Sequence, residues 1–506
     1  MTNPAPGPVH PALSGTAFLL AFVAAALFAL TSRYPGYVHH DTAEIAMWST
    51  LGWPAGLPKH PPFLPWLFRS LSYLMPLNWI SLSLLTAANI ALGAWAVWAI
   101  ARRVLDEPRS ALAALLYGLA PAGTFFALKL NHNAILVSLW PLIILAFLAC
   151  MDARSWKASV LSGIAFGALA AAGMLAKYYT GVLLASCVIA ALVSRDRSRF
   201  MTSPGGYVAV VVFAALMTPH ALWMLHDGGA STLDYALHET EAENRLLGHF
   251  LILTPVYLLP PLLGFYALRH WLGPAHPGKN ACPRLPELIV LAAGPFAMTA
   301  VLIEAFGLRG ATSWTLPDFA VVPVLLAGAL AVPSASALAG LKRIAGALLV
   351  GIALLGPVVL MAAFMAGDAN TVEPRAEVAG IAATIFRQAT GRAPTLIAGD
   401  PQSATSASLV LPGHPLVFSS FDPAVAPWVT PEILAKGGLL VICRPHTGCD
   451  ERTEKARFGQ PAFTCNVTRN RRWLWLTGRP LTVKVTVIPP AGAALNETAA
   501  TAACSH

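Results

Sequence analysis

Residues 79–100, WISLSLLTAANIALGAWAVWAI, run for twenty-two positions without a charge. At 1.5 Å per helical residue such a run is about 33 Å long, enough to cross the roughly 30 Å hydrocarbon core of a bilayer. Similar runs recur from Ser14 to Met365, and we read about eleven spans, near 14–31, 79–100, 110–128, 134–150, 158–176, 180–194, 207–225, 249–268, 286–303, 316–333 and 344–366. Composition agrees: of 506 residues 56% are hydrophobic and 11% charged, against about 45–50% and about 25% in a soluble domain. The chain is therefore expected to be an α-helical polytopic membrane protein. No Lys or Arg precedes the first run and no small-residue cleavage site follows it, so it is expected to be a retained span rather than a signal peptide. The Pro-rich residues ahead of it are expected to be disordered.

Charge fixes a sidedness. With the N-terminus inside, thirteen Lys and Arg fall in five inner loops (Arg102, Arg103 and Arg109; Arg154 and Lys157; Arg195, Arg197 and Arg199; Arg269, Lys279 and Arg284; Lys342 and Arg343) and seven in the outer connections. That is the asymmetry expected of cytoplasmic loops. The net charge of +9 forms no basic stripe with interleaved aromatics, which excludes a nucleic-acid partner. An odd number of spans places residues 367–506 outside. There the pattern changes to one helical period around Glu377–Gln388 and short extended runs at 395–398, 416–419, 439–443 and 481–488, separated by Gly and Pro. Two domains follow: a membrane domain, 1–366, with a long first outer loop, 32–78, and an outer α/β domain, 367–506. Seven cysteines are too few for a disulfide scaffold, and no CxxC pair or Cys/His cluster indicates a metal. Cys443, Cys449 and Cys465 gather in the outer domain, either as one disulfide with a thiol left over or as three separate buried thiols.

Ionisable side chains at membrane depth cost about 2.5–3.5 kcal/mol each at a span centre, and here they collect at the outer ends of the spans. A transporter would place them at the midplane, between repeats related by symmetry. Asp41 and Glu44 are three apart, so on a helix they share a face. Two carboxylates in a pocket raise one pKa, as a general base for a hydroxyl requires; alternatively Asp41 caps the helix that follows it. Lys59-His60-Pro61-Pro62 sets a cation and an imidazole on a chain stiffened by proline, suited to an anionic group at headgroup level or to snorkelling. Lys177-Tyr178-Tyr179 and Arg309-Gly310 supply further cations at outer ends, and three converging cations would form an anion site. Asn131-His132-Asn133 orients a sugar or caps a helix. His220, after Pro219, reads as a structural histidine before a metal ligand. The aromatic loop segments 42–51 and 63–74 read as amphipathic helices in the membrane interface.

His40-Asp41-Thr42-Ala43-Glu44 with Trp48, followed by Lys59-His60-Pro61-Pro62-Phe63-Leu64-Pro65-Trp66, resembles the first periplasmic loop of the GT-C glycosyltransferases of the protein O-mannosyltransferase and lipid A aminoarabinose transferase type. Lys177-Tyr178-Tyr179, Pro219-His220 with Trp223, and Arg309-Gly310 with Trp314 are similar to a bacterial branch of that family. The resemblance implies an inverting transfer of a sugar from a polyprenyl-phosphate carrier to an acceptor on the periplasmic side of the inner membrane. It implies Asp41 as catalytic base, and Lys59, Lys177 and Arg309, with their neighbours His60 and Tyr178, at the lipid phosphate. In the mannosyltransferases Asp and Glu are adjacent, whereas here Thr42 and Ala43 intervene before Glu44. No Gly-rich phosphate loop for a nucleotide sugar is present. The rival reading is a flippase that binds the same lipid-linked sugar without chemistry. The acceptor is expected to be an envelope glycolipid or a protein, and no metal cofactor is indicated.

Overall fold

The computed structural model describes residues 11–34, 36–121, 126–226, 247–275, 284–306, 312–366, 372–445, 447–457 and 460–505. Among the described residues six helices are long and apolar enough to cross a membrane: Trp79–Ala101, Trp156–Ala176, Pro204–His226, Leu247–Leu272, Leu285–Phe306 and Ala335–Ala366. Three shorter apolar helices, Phe18–Arg33, Leu136–Asp152 and Thr180–Val193, accompany them. These nine fall on predicted spans. The predicted spans at 110–128 and 316–333 carry shorter helices instead, Glu107–Gly118 and Val322–Gly328. Glu107–Gly118 is capped by Asp106, whose carboxylate accepts from Arg109 N at 3.0 Å, and it stops ahead of Pro121, which cannot continue a helix. In the second, Pro323 fixes the first turn.

The chain divides into two compact units, one of Met1–Leu27, Ala55–Phe63 and Leu85–Leu354, the other of Phe28–Pro54, Leu64–Leu84 and Leu355–His506. In the first unit small residues set the helix packing. A Cβ on Gly163 or Gly167 would strike the carbonyls of Gly205 and Ala209 on helix Pro204–His226, so two backbones touch where a Gly-x-x-x-Gly stripe meets a Gly-x-x-x-Ala stripe. At one end of this unit Asp152 binds Arg103 at 2.6 Å and also Arg284. Arg284 continues to Asp196 at 3.5 Å and to the buried Glu287 at 3.4 Å. Arg103 and Arg284, both read as inner, are thus tied together through Asp152.

In the second unit helix His40–Trp48 packs on helix Pro401–Val410. The C-terminal part of this unit is a five-stranded sheet, β1 (Leu396–Gly399), β2 (Leu416–Val417), β3 (Leu439–Cys443), β4 (Phe463–Trp473) and β5 (Leu476–Ile488), in the order β2-β1-β3-β5-β4. β1 pairs in parallel with both β2 and β3, in register Leu396↔Leu416 and Ile397↔Leu440. β5 runs antiparallel to β3 and β4. The central β3 is apolar on both faces and wholly buried, as a strand covered on both sides must be, whereas β4 alternates and faces its hydroxyls outward, Thr464 to Thr486 and Thr468 to Thr482. Helix Arg375–Thr390 realises the predicted helical period. Disulfides join Cys443 to Cys449 and Cys465 to Cys504. Cys465 is therefore no leftover thiol; its partner sits on the C-terminal helix, outside the cluster of three that the sequence presents.

Candidate functional site

The polar end of the first unit is assembled from loops and helix ends distant in sequence. Asn131 Oδ1 accepts from the backbone N–H groups of Asn133 and Ala134, both at 3.1 Å, closing a turn ahead of helix Leu136–Asp152, whose N-cap position is Ile135. The turn it builds presents its two neighbours. Asn133 Oδ1 accepts from Lys177 Nζ at 2.6 Å, and His132 Nδ1 donates to the Ala176 carbonyl at 2.9 Å. The His60 ring lies against that of His132, centroids 4.1 Å apart. Lys177 also sits 4.3 Å from the centroid of the Trp314 ring, so its ammonium is held on a π face and by an amide oxygen. Lys59 is half-buried in the same unit.

Two tyrosines follow Lys177, and each binds inward. The carbonyl of Ala55 lies 2.7 Å from His220 Nδ1, so this nitrogen carries the proton and Nε2 accepts. The Tyr178 hydroxyl donates to that Nε2 at 2.6 Å. Burial pushes the Tyr178 phenol up to about 12, so it remains a neutral donor. His220 is buried, with the Trp223 ring stacked beside it. Gly56 lies so close to Trp223 that no Cβ fits. Helix Pro204–His226 thereby pins the loop ahead of Lys59-His60 through His220 and Trp223. The Tyr179 hydroxyl donates to the Asp318 carboxylate at 2.9 and 3.0 Å, with the Thr299 hydroxyl at 2.8 Å. Burial first, and then the Asp318 charge, hold its phenol well above the usual value. Trp140 stacks on the same ring at 5.5 Å. Tyr178 and His220 were read as site residues from the sequence, though not as a pair; Tyr179 with Asp318 and Thr299 was not.

Asp41 and Glu44 belong to the second unit. His39 is the N-cap of helix His40–Trp48, its Nδ1 accepting from Asp41 N at 3.3 Å. Asp41 is therefore in the first turn rather than at the cap. Its carboxylate is 3.0 Å from His40 Nε2 and 3.6 Å from His39 Nδ1. Among the described residues these three bring potential metal-ligand atoms within 4.8 Å of one another. Glu44 accepts from the Ser419 hydroxyl at 3.3 Å.

The segment leading into this helix is clamped. Arg375 donates to the Val38 carbonyl and to Ser406 Oγ at 3.2 Å each, to Gln402 Oε1 at 2.9 Å and to Glu373 at 2.7 Å, and its guanidinium lies 4.8 Å from the Tyr37 ring centroid. Arg444 bridges the same Gln402 to the buried Asp400. A cavity of ≈ 210 Å³ opens beside the clamp, lined among others by Tyr37, Glu373, Ser406, Asn470 and Arg472. Arg309 and Gly310 lie outside the described residues.

Residues 59–223 match the family described as dolichyl-phosphate-mannose-protein mannosyltransferase. Among solved structures, ArnT from Cupriavidus metallidurans bound to undecaprenyl phosphate superposes with a TM-score of 0.59 at 18% identity, covering 94% of this chain and 98% of that one. The same protein in the apo state gives 0.57 at 17% identity, again covering 94% and 98%. A search of curated protein sequences finds no match. The fold of this chain is that of ArnT over almost its whole length.

Proposed function

We propose that this chain, built on the GT-C fold with a mannosyltransferase-like segment, is an inverting glycosyltransferase. It would move a sugar from a polyprenyl-phosphate carrier to an envelope glycolipid or protein on the periplasmic side of the bacterial inner membrane. In this reading the membrane domain, residues 1–366, crosses the bilayer about eleven times, and residues 367–506 form a periplasmic domain. The observation that carries the reading is the setting of Lys177. Within the segment that matches a family named for a lipid-phosphate-linked sugar, this ammonium is fixed by Asn133 and Trp314 at the polar end of the unit.

Each residue then has a part in one displacement. Asp41 takes the proton from the acceptor hydroxyl as its oxygen attacks the anomeric carbon, a contribution of about 10²–10⁴-fold. Glu44, tied to Ser419, fixes the rotation of the helix that carries Asp41. The carbon–oxygen bond to the carrier breaks on the opposite face, which inverts the centre. The leaving group departs as a lipid phosphate and needs no general acid, only positive charge, and Lys59, His60, Lys177, Tyr178 and Arg309 supply and orient it. Asn131, His132 and Asn133 shape the sugar site, and His220 holds the loop that bears Lys59. Mass spectrometry of envelope glycans tests the reading in cells. Cells producing the chain should carry a glycan addition that is missing when the gene is deleted and when Asp41→Asn replaces it at equal membrane abundance. An addition that persists with Asp41→Asn would remove the aspartate from the chemistry.

A further inference from the structure

The loop joining β4 to β5 is two residues, Leu474 and Trp475, closed by the pair Trp473↔Leu476. Both are solvent-facing, Leu474 at 51% and Trp475 at 82% exposure. Two-residue hairpins favour Asn-Gly or Gly-X because their central residues take positive φ. Here a leucine occupies such a position, with φ 53°, where a bulky side chain is strained. Neither conformation nor solubility favours this dipeptide in water.

The hairpin's surroundings explain it. Trp473 is buried against Leu360 and Val372, with Phe364 and Leu476 packed around them, and Gly478 presses on the Phe364 ring so closely that a Cβ would approach it to 2.9 Å. Leu360 and Phe364 lie near the end of helix Ala335–Ala366. From Ile344 to Ala366 that helix runs for twenty-three residues without a charge, after Lys342-Arg343. A hydrocarbon core takes about twenty residues. Wherever those twenty fall within the twenty-three, Leu360 is inside the core and Phe364 is at or within its boundary. The closing pair of the hairpin therefore sits at the edge of the hydrocarbon, and its tip, one or two residues on, reaches no more than about 7 Å from it. The polar layer outside the core is itself about 5–7 Å thick. Arg472 and Arg479 follow on the two strands, both exposed, where guanidinium groups meet lipid phosphates.

We infer that the β4–β5 hairpin is a membrane anchor of the C-terminal domain, with Leu474 and Trp475 inserted at the boundary of headgroups and acyl chains and Arg472 and Arg479 on the phosphates. A tryptophan at that depth is amphipathic in an amphipathic layer, and the strained leucine is offset by contact with lipid. The partner is the lipid surface itself, and the inference does not rest on the transferase reading.

The full-length chain in nanodiscs containing a phospholipid with a photoactivatable acyl chain provides the test. After trypsin, the peptide Trp473–Lys484 should carry lipid adducts, as should Ser70–Arg102, which contains the span Trp79–Ala101. In the Leu474→Asp/Trp475→Asp variant the hairpin peptide should lose at least tenfold of its label while Ser70–Arg102 keeps its own. Hydroxyl-radical footprinting needs no variant: Trp475 should be oxidised several-fold more slowly in nanodiscs than free tryptophan is. The inference is overturned if the hairpin peptide stays unlabelled while the span peptide is labelled, if Trp475 oxidises as fast as free tryptophan, or if it cross-links to a second copy of the chain in place of lipid.

Discussion

A single ammonium shows how a side chain is prepared for a ligand. Lys177 carries three donors and a mobile stem; Asn133 and the Trp314 face hold it in one place and reduce the entropy lost when an anion arrives. Hydrogen bonds to charged groups are worth about 1.5–3 kcal/mol, so Lys177→Ala should raise the apparent KM for a polyprenyl-phosphate sugar about ten- to a hundredfold. Lys177→Arg should restore part of that loss. Titrating donor against detergent-solubilised enzyme checks it, and an unchanged KM in the alanine variant removes Lys177 from the phosphate role. Arg375 differs in kind, since its donors are spent on Val38, Ser406, Gln402 and Glu373. Its side chain is 9% exposed and that of Glu373 only 2%. Removing one partner of a buried pair costs about 3–5 kcal/mol. Arg375→Ala should thus lower the unfolding free energy by several kcal/mol and loosen Tyr37–Val38, seen as faster amide exchange there; unaltered exchange would show that the clamp holds nothing.

Elements were legible where one period dominated. Nine apolar helices lie on predicted spans because an uncharged run of that length has few other uses. The other two predicted spans hold the shorter helices Glu107–Gly118 and Val322–Gly328, where proline interrupts an apolar run that hydropathy averages across. Among the strands, β1, β2 and β3 announced themselves as compact apolar runs. β4 did not, because in Phe463–Trp473 the alternate inward residues include arginines and a disulfide cysteine, so the period of two hides among polar letters. The second disulfide was hidden for a related reason: Cys504 stands 39 residues from Cys465, and only the sheet and the C-terminal helix bring them together. Helix contact in the first unit was written plainly as small residues four apart. Gly167→Leu should drive a side chain into the Ala209 backbone and abolish recovery of folded protein. Gly346→Leu, at a glycine with nothing within 4 Å, should be tolerated. Size-exclusion profiles in mild detergent compare them, and equal recovery would refute the packing argument.

For the whole molecule, the helical membrane fold class was legible from where charges are absent. A chain that is 11% charged makes each remaining ionisable group conspicuous, which is why Lys177 and His220 stood out at span ends. Their pairings did not, since Tyr178 reaches His220 across 42 residues and Tyr179 reaches Asp318 across 139, separations that only the packed helices specify. A transferase and a flippase would use the same cations and differ in one bond. Full-length protein reconstituted in proteoliposomes with a polyprenyl-phosphate sugar and an envelope glycolipid extract, with free polyprenyl phosphate followed over time, decides between them. The account predicts that the wild type releases polyprenyl phosphate in step with glycosylated product and that Asp41→Asn releases it at least a hundredfold more slowly. Donor that changes leaflet with its sugar–phosphate bond intact, equally fast in both proteins, would contradict it.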